Sequence, residues 1–477
     1  MSRVPPAHDL VDDHPREECG VFGVAAPGRD TSRLAFFALH AMQHRGQESA
    51  GIAVAEAGRV TVQRELGLVG EVFDEPALRT LTGSLAIGHV RYSTTGSNKW
   101  ENSQPVVVTR GADVVALGHN GNLTNTDRLR ERLVGGGALL TATTDSELIA
   151  ALIAQAAPGT LLDAVCEVMP LLVGAFSVVS LSGSELVAFR DAHGVRPLVI
   201  GALPGGYCVA SETCAFDQIG ATFVREVHPG EAVRVTPDGL DSRQAIPSEG
   251  GKLCVFEAIY FARPDSVLDG QAVWDARRAM GVVLAEESPA DADLVIGLPD
   301  SGTPAAIGFA HGSGIPYAEG VVRNRYVGRS FIQPEQELRQ AGVRLKFNPL
   351  RSVIEGRRLV VVDDSIVRGT TMRQMVAMLE DAGASEVHLR ISSPPVAWPC
   401  FYGIDMANRD ELIAAGATVD DITETVGATS LEYLSLAGLQ RALGRPAGRY
   451  CRACFTGDYP IPVPGEALKL RFEAVGA

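Results

Sequence analysis

Two adjacent carboxylates, Asp363 and Asp364, follow an apolar run in the string "RRLVVVDDSIVRGTTMRQM" (357–375). The run "LVVV" predicts a buried strand, and "TTMRQM" predicts the first turns of a helix. Paired carboxylates suit ribose hydroxyls or a hydrated Mg²⁺, whereas a loop with hydroxyls and a glycine at a helix start suits a phosphate. A capped helix after a surface strand is the alternative, but the complete string favours an anion and magnesium site. The loop and the helix start supply Ser365, Arg368, Gly369 and Thr370.

Cys19 is the second residue that could carry chemistry. It begins the apolar stretch "CGVFGVA" (19–25), which predicts a buried strand. The segment before it, residues 1–18, holds two Arg against five Asp or Glu and predicts neither a helix nor a strand. A cysteine at such a border is either an ordinary core residue or a nucleophile, and its immediate neighbours do not decide between the two.

Composition limits the classes of protein to which these residues can belong. The chain has 477 residues, enough for about two to three domains, and its content of 46% hydrophobic and 21% charged residues is typical of a globular protein. The net charge of −15 argues against a protein that binds nucleic acid by neutralising phosphates. No apolar run approaches the roughly 20 residues of a membrane span, and the N-terminus lacks the layout of a signal peptide. We therefore expect a cytoplasmic protein with reduced thiols and without nucleic-acid or membrane partners.

The candidate residues lie in two halves of the chain that differ in the order and spacing of their predicted strands and helices. Residues 19–245 are rich in short apolar strands with glycine-bearing turns, and helical stretches at 34–47 and 144–155 lie between them. This pattern predicts stacked sheets, with Thr144 or Asp145 as a helix cap. The polar segment 236–252 predicts a linker. Beyond it, strands and helices alternate, which predicts a parallel sheet covered on both faces.

The string 357–375 resembles the phosphoribosylpyrophosphate (PRPP) motif of type I phosphoribosyltransferases. The resemblance implies that residues 365–370 hold the 5-phosphate of PRPP and that the two aspartates face its ribose. The stretch "GLPDSGTPAA" (297–306) resembles the loop that grips pyrophosphate, and there Ser301 would join Asp363 and Asp364 around Mg²⁺. Residues 323–350 have little apolar periodicity, and we expect them to form a lid over PRPP. The basic residues of that segment are Arg323, Arg325, Arg329, Arg339, Arg344 and Lys346.

The first half resembles the glutamine amidotransferases that use an N-terminal nucleophile. The matching stretches are "CGVFGV", "MQHRGQESAGI", "GHVRYSTTG", "GHNGNL" and "TDSEL". The resemblance implies that residues 1–18 are a propeptide whose removal makes Cys19 the N-terminal residue. The α-amine of Cys19, with a pKa of about 8, could then take the thiol proton, so that one residue supplies both nucleophile and base.

The same resemblance implies which residues surround glutamine. Asn120 and Gly121 would form the oxyanion hole, because a side-chain amide and a backbone N–H can both donate to the developing negative charge. Arg91 would bind the α-carboxylate, a bidentate task that suits a guanidinium, and Asp145 would bind the α-ammonium. Arg45 is assigned to the substrate site as well, although an arginine in a helix can also serve only to hold the scaffold.

Four of the eight cysteines are assigned to a metal cluster by resemblance. Cys451 and Cys454 form a C-x-x-C pair, which by itself fits a redox pair, half of a zinc site or two packed thiols. In some members of the family, these two positions and those of Cys254 and Cys400 bind a [4Fe–4S] cluster. A Cys₄ zinc site would need the same ligands, so composition leaves both open. The cysteines expected in the hydrophobic core are Cys166, Cys208 and Cys214.

The motifs together predict an α+β glutaminase domain of the N-terminal-nucleophile type, with stacked antiparallel sheets (19–250). An α/β type I phosphoribosyltransferase domain with a parallel sheet and a C-terminal tail (251–477) is expected to follow. The combination resembles the amidotransferases that aminate PRPP with glutamine nitrogen, at the first committed step of purine synthesis. It implies glutamine and PRPP as substrates, Mg²⁺ and a [4Fe–4S] cluster as cofactors, purine nucleotides as inhibitors and a homotetramer.

Two other classes of protein remain as alternatives. A hexosamine-forming synthase would share the glutaminase motifs but would carry sugar isomerase domains, and the string "VVVDDSIVRGTT" argues against it. A regulator that senses PRPP with an inactive transferase domain would keep the string. The acidic charge and the complete set of glutaminase motifs argue against that second alternative.

Overall fold

The computed structural model describes residues 19–92, 99–324, 346–406 and 408–463. The predicted propeptide (1–18), most of the predicted lid (325–345) and the end of the C-terminal tail (464–477) lie outside the described residues. Across the described ranges, none of the helices has both the length and the apolar character needed to cross a membrane.

Two antiparallel sheets form the first half of the chain, as predicted. In chain order their strands are β1 (Gly20–Ala25), β2 (Ser49–Glu56), β3 (Arg59–Leu66), β4 (Leu85–Arg91), β5 (Val106–Arg110), β6 (Asp113–Leu123), β7 (Gly174–Leu181), β8 (Leu186–Arg190), β9 (Val199–Leu203), β10 (Gly206–Ala210), β11 (Thr222–Glu226), β12 (Glu231–Val235) and β13 (Leu240–Gln244). One sheet has the order β11-β9-β10-β1-β4-β2-β3, and the other has the order β13-β12-β8-β7-β6-β5. The prediction of a linker over 236–252 is wrong in part, because residues 240–244 pair with β12 as a sheet strand.

Helices cover the outer face of each sheet, so the first half has four layers. They are α1 (Thr31–Ala41), α2 (Val69–Val72), α3 (Glu75–Thr80), α4 (Thr126–Gly135), α5 (Asp145–Gln155), α6 (Leu161–Val168) and α7 (Cys214–Ile219). The alternation of β1 explains the layering: Val21 packs into the core between the sheets, whereas Phe22 and Val24 pack on the α1 side. Because both faces of the strand are buried, its sequence is apolar at nearly every position.

The second half is built on a parallel sheet, as predicted. Its elements are β14 (Leu253–Cys254), a π-helical turn (Glu257–Phe261), β15 (Val267–Leu268), β16 (Gln271–Ala272), α8 (Val273–Glu287), β17 (Leu294–Gly297), α9 (Thr303–Ser313), β18 (Val321–Arg323), β19 (Phe347–Pro349), α10 (Arg351–Ile354), β20 (Arg358–Asp363), α11 (Thr370–Asp381), β21 (Glu386–Ile391), α12 (Val419–Val426), β22 (Ser430–Tyr433), α13 (Leu436–Leu443), β23 (Tyr450–Cys451) and α14 (Ala453–Thr456). The sheet order is β17-β20-β21-β22, with α8 and α9 packed on one face and α11 and α12 on the other.

Two short pairings connect distant parts of this half. The strand β14 pairs in parallel with β23, which sets Cys254 opposite Cys451. The strand β18 pairs with β19, which holds together the two ends of the predicted lid segment. Both pairings therefore position residues that the sequence analysis assigned to function.

Candidate active sites

Cys19 lies at the start of β1, next to the end of β4. The two strands pair with Gly20 opposite Val90, so the residues that follow Val90 come close to Cys19. The Cys19 side chain is buried, and its thiol donates a hydrogen bond of 3.4 Å to the carbonyl oxygen of Tyr92. The charges of Arg91, Glu48 and Asp145 all act on this thiol, so the structure brings three predicted site residues, Cys19, Arg91 and Asp145, together.

The thiol of Cys19 is held in its neutral form. Burial raises its pKa to about 11, although the positive charge of Arg91 acts in the opposite direction. Because the thiolate is the reactive form, the site needs a base that takes the proton during attack. The hydrogen-bond partner that the described residues provide is a backbone carbonyl, which accepts a hydrogen bond but cannot serve as a base.

Asn120 and Gly121 lie in β6 and have the features that an oxyanion hole requires. The Asn120 side chain is buried, and its Nδ2 has no hydrogen-bond partner among the described residues. A buried donor without a partner costs about 1–3 kcal/mol, which indicates a position kept for an incoming acceptor. Gly121 has a φ of +142°, and a Cβ at this position would lie 2.1 Å from the carbonyl oxygen of Ala175. Only glycine fits there, and its part in an oxyanion hole beside Asn120 in the sequence stays a prediction.

Asp145 supplies a charged carboxylate at the first residue of α5, where Thr144 is the N-cap residue. Its Oδ2 accepts a hydrogen bond of 2.9 Å from the backbone N–H of Leu123, and its Oδ1 lies 3.4 Å from Nδ1 of His119. Burial acts to raise the pKa of Asp145, but the interactions with His119 and the hydrogen bond from Leu123 bring it below its usual value. The carboxylate is therefore ionised at neutral pH, as an ammonium partner would require.

Arg91 ends β4 and is buried beside Glu48, with Nη1 of the guanidinium 3.6 Å from Oε2 of the carboxylate. A buried guanidinium next to the nucleophile is suited to a planar carboxylate ligand. Residues 93–98, which complete the "HVRYSTTG" motif and follow Arg91 closely, lie outside the described residues.

Arg45 makes contacts with protein groups rather than with an open site. Its Nη1 lies 2.5 Å from Oε1 of Glu212, and its Nη2 lies 2.7 Å from Oε1 of Glu257. Its Nε donates a hydrogen bond of 3.1 Å to the backbone carbonyl oxygen of Cys19. The assignment of Arg45 to substrate binding stays a prediction, and these contacts point instead to a part in holding Cys19.

The predicted PRPP carboxylates lie at the carboxyl edge of the parallel sheet, where ligands of such sheets bind. Asp363 ends β20, and Asp364 follows it, both buried. Oδ2 of Asp364 accepts a hydrogen bond of 2.5 Å from Ser301, and Oδ1 accepts one of 2.6 Å from Ser365. The structure thus gathers oxygen ligands from β17–α9 and β20–α11, a donor set that Mg²⁺ prefers.

The loop after these carboxylates leads into α11 at Thr370. Gly369 is the N-cap residue with a φ of +77°, a left-handed backbone conformation that favours glycine. The helix start directs backbone N–H groups towards the loop, the arrangement that binds phosphate. Arg368 pairs with Glu411 at 2.7 Å between Nη2 and Oε2, and its contact with a phosphate stays a prediction.

The predicted lid is described only at its two ends. Arg323 donates a hydrogen bond of 2.8 Å to Asp300 in the loop before α9, and Asn324 donates one of 2.7 Å to the carbonyl oxygen of Lys346. The other basic residues assigned to the lid, Arg325, Arg329, Arg339 and Arg344, lie outside the described residues.

Four cysteines from three distant parts of the chain line one small cavity. They are Cys254, Cys400, Cys451 and Cys454. None of them forms a disulfide. Burial raises the pKa of Cys254 to about 12 and that of Cys451 to about 11, which keeps these thiols neutral when no cation is bound. In the described ranges, no three or more His, Cys, Asp or Glu side chains are grouped closely enough to hold a metal ion.

Sequence reasoning missed several buried charged residues around these sites. Glu212 and Glu257 have fully buried side chains, and His119 lies against Asp145. The sequence signal for the two glutamates was their position in the apolar stretches "CVASETCAF" and "CVFEAIYF". Apolar neighbours predict burial, and a fully buried glutamate is almost always paired. The arginine that pairs with both was visible as well, but nothing local connects residue 45 with residue 257.

In a comparison with known proteins, each half of the chain matches a different domain family. Residues 89–218 match the model of a glutamine amidotransferase domain family, and residues 265–392 match that of a phosphoribosyl transferase domain family. The chain is 52% identical over 476 residues to an amidophosphoribosyltransferase from Synechococcus elongatus, covering 98% of this chain and 96% of the relative. It is 46% identical over 453 residues to an amidophosphoribosyltransferase from Bacillus subtilis, covering 94% of this chain and 95% of the relative.

Solved structures give the same result. A glutamine PRPP amidotransferase from Bacillus subtilis in complex with ADP and GMP superposes with a TM-score of 0.89 at 44% identity, covering 94% of this chain and 99% of that one. A second structure, described as the allosteric regulatory enzyme of purine biosynthesis, also gives a TM-score of 0.89, at 45% identity, covering 94% of this chain and 98% of that one.

Proposed function

This chain belongs to the amidophosphoribosyltransferase family, and from that premise we propose how its own residues divide the reaction between two sites. The enzyme catalyses the first step of purine synthesis, in which glutamine, PRPP and water give 5-phosphoribosylamine, glutamate and pyrophosphate. One observation supports the division above all others. A buried cysteine and a buried amide whose nitrogen has no partner among the described residues lie in one half of the chain, and two adjacent buried carboxylates lie at the sheet edge of the other.

In the glutamine site, Cys19 attacks the side-chain amide carbon of glutamine. The α-amine of Cys19 takes the thiol proton and passes it to the departing nitrogen, so that ammonia leaves and a γ-glutamyl thioester remains. Nδ2 of Asn120 and the N–H of Gly121 donate to the oxyanion that develops on the carbonyl oxygen. Arg91 and Asp145 hold the α-carboxylate and the α-ammonium. Water then attacks the thioester, which releases glutamate and restores the thiol.

In the second site, ammonia attacks C1 of PRPP and pyrophosphate leaves. Asp363 and Asp364 face the ribose, and the loop 365–370 with the start of α11 holds the 5-phosphate. Ser301, Asp363 and Asp364 would hold Mg²⁺, which supplies charge neutralisation of the pyrophosphate. The hydroxyls of Ser301 and Ser365 both donate to the Asp364 carboxylate, and this group of oxygens fits that ion, because Mg²⁺ prefers carboxylate and hydroxyl oxygens.

Transfer of ammonia between the sites requires shelter from solvent. Ammonia in neutral water is mostly ammonium, which has no lone pair for attack. The basic segment 323–350 is proposed as a lid that closes over PRPP and so completes a protected path. The coupling of glutamine hydrolysis to PRPP follows from this arrangement.

The test of this function is glutamine hydrolysis measured with and without PRPP. We expect strong stimulation by PRPP together with formation of 5-phosphoribosylamine, because the path and the second site are complete only when PRPP is bound. Indifference to PRPP would instead indicate an uncoupled hydrolase or a sensor with an inactive transferase domain.

Removal of residues 1–18 is part of the proposal. The raised pKa of the Cys19 thiol creates the need for a base close to it, and an α-amine on the same residue would meet that need. With residues 1–18 attached, the nitrogen of Cys19 is an amide and cannot take a proton. We propose that the mature enzyme begins at Cys19.

We further propose that the cysteine cavity holds a [4Fe–4S] cluster. Support comes from the donor set: four thiols, none in a disulfide, face one enclosed space. A cluster binds each thiolate through a different iron, so its ligands are spaced more widely than those of a single ion. Cys254, Cys400, Cys451 and Cys454 would hold the cluster, which would supply a covalent connection between the C-terminal tail and the sheet domain. A single zinc ion is the alternative.

Metal analysis distinguishes a [4Fe–4S] cluster from a single zinc ion. We expect about four iron and about four sulfide per chain in protein purified without oxygen, with a brown colour. The variant Cys454→Ser should lose both, whereas the matched variant Cys166→Ser, outside the cavity, should keep them. Stoichiometric zinc without iron would overturn the cluster.

Purine nucleotides are proposed as inhibitors, because a related structure was solved with ADP and GMP. The homotetramer and the cytoplasmic location stay predictions from the sequence.

A further inference from the structure

A fully buried group of charged side chains lies where the two halves of the chain meet. Arg45 is its centre, and the carboxylates of Glu212 and Glu257 lie on either side of the guanidinium, with all three side chains inaccessible to solvent. Glu257 binds Arg45 twice, with Oε1 at 2.7 Å from Nη2 and Oε2 at 3.0 Å from Nη1. This two-point pairing fixes the plane of the guanidinium as well as its position.

The fixed guanidinium acts directly on the nucleophilic residue. Its Nε donates a hydrogen bond of 3.1 Å to the backbone carbonyl oxygen of Cys19, on the edge that the carboxylates leave open. Any shift of Arg45 therefore moves the main chain that carries the thiol and, in the mature enzyme, the α-amine.

Glu257 belongs to the half of the chain that forms the transferase domain. It begins the π-helical turn Glu257–Phe261, three residues after Cys254. The buried side chain of Arg277, on α8, holds this turn through hydrogen bonds of 2.9 Å to the carbonyl oxygen of Ala258 and 2.7 Å to that of Ala262. The carboxylate of Asp364 acts electrostatically on the same guanidinium. The turn that carries Glu257 is thus anchored inside the transferase domain, near its sugar site.

Stability alone does not account for such a group. Desolvation of buried ion pairs offsets much of their attraction, and well-packed apolar residues often serve stability equally well. What a paired guanidinium offers in addition is a single defined geometry.

We propose that Glu257 is a positioning residue for the glutamine half-reaction: supplied by the transferase domain, it sets the place of Cys19 through Arg45. The inference rests on the proposed function, since it assumes that Cys19 is the nucleophile. It goes beyond that function by making hydrolysis of glutamine depend on a side chain outside the glutaminase domain.

The test compares two variants of the full mature enzyme with wild type. Glu257→Gln removes the charge and the two-point pairing, and we expect kcat for glutamine to fall about 10²-fold, because small misplacements of a nucleophile have effects of that size. Arg45→Lys keeps a positive charge but cannot contact both carboxylates and the Cys19 carbonyl at once, and the same loss is expected. In both, KM for glutamine should change by no more than about twofold, and synthesis from ammonia should persist, because both side chains are buried against protein groups; a large rise in KM would instead support the assignment of Arg45 to substrate binding.

Glu231→Gln is the matched control. Glu231 is another buried glutamate that binds an arginine at two points, with both contacts to Arg225 at 2.8 Å, but it lies in β12, in the sheet that does not contain β1. The Glu231→Gln variant should be destabilised about as much as Glu257→Gln and should keep the wild-type kcat for glutamine. Wild-type kcat in both test variants, or parallel loss of the ammonia-dependent rate in both, would overturn the proposal. A wild-type enzyme without glutamine-dependent synthesis would refute the proposed function instead.

Discussion

Replacing Cys19 with alanine is expected to abolish synthesis of 5-phosphoribosylamine from glutamine, with a loss of at least about 10⁴-fold, and to leave synthesis from ammonia intact. In the proposed mechanism the thiol forms the thioester, and an alanine side chain has no atom that can attack the amide carbon. The transferase site does not depend on the thiol, because its carboxylates lie in the other half of the chain. The two rates are measured with glutamine and with an ammonium salt at high pH as nitrogen donors.

The wild-type sample supplies the control for this experiment. Its intact mass should correspond to a chain that begins at Cys19, because the proposed base for this thiol is the free α-amine of the same residue. An active wild-type enzyme that retains residues 1–18 would contradict the mechanism. If Cys19→Ala lost synthesis from ammonia as well as from glutamine, the two sites would not be separable as argued.

Replacing Asp364 with asparagine is expected to reduce synthesis from glutamine and from ammonia alike, by on the order of 10³-fold, because Mg²⁺ and the ribose both lose a charged partner. The substitution also disturbs the local hydrogen bonds. Both oxygens of Asp364 accept from hydroxyls, those of Ser301 and Ser365, and an amide nitrogen would face one of them as a second donor. Hydrolysis of glutamine without PRPP should remain at its basal rate.

Asp293→Asn is the matched control for that variant. Asp293 lies just before β17, at the opposite edge of the same sheet, where it pairs with Arg358 at 2.8 Å. Its pKa is lowered by the hydrogen bonds from Arg358, so it is also ionised at neutral pH. Wild-type synthesis in Asp364→Asn, or equal losses in both variants, would exclude the sheet edge at Asp364 as the PRPP site.

Local sequence was sufficient to predict the secondary structure wherever a motif lies in one uninterrupted segment. A strand, two carboxylates, a glycine-bearing loop and a helix start follow each other within 357–375, and backbone propensities alone bring them into register. The same holds for the strand that begins after Cys19 and for the helix that begins at Asp145. Local signals failed at 236–252, where turn-forming residues concealed β13, because pairing with β12 outweighs local propensity.

Long-range packing decided the rest. Cys254 and Cys451 meet at one cavity because β14 pairs with β23, a contact between segments almost two hundred residues apart that no periodicity reveals, and Cys400 reaches the same cavity from a third segment. The contacts of Arg45 were equally hidden, since its partners Glu212 and Glu257 come from separate parts of the chain. By itself the sequence determined the fold class, because short-range backbone preferences set the pattern of strands and helices, and the resemblance of its motifs to known families predicted both activities; the residues assigned to the two sites stay predictions. Only the tertiary structure decided which charges share a buried site, because burial and pairing depend on neighbours that the chain brings together after it folds.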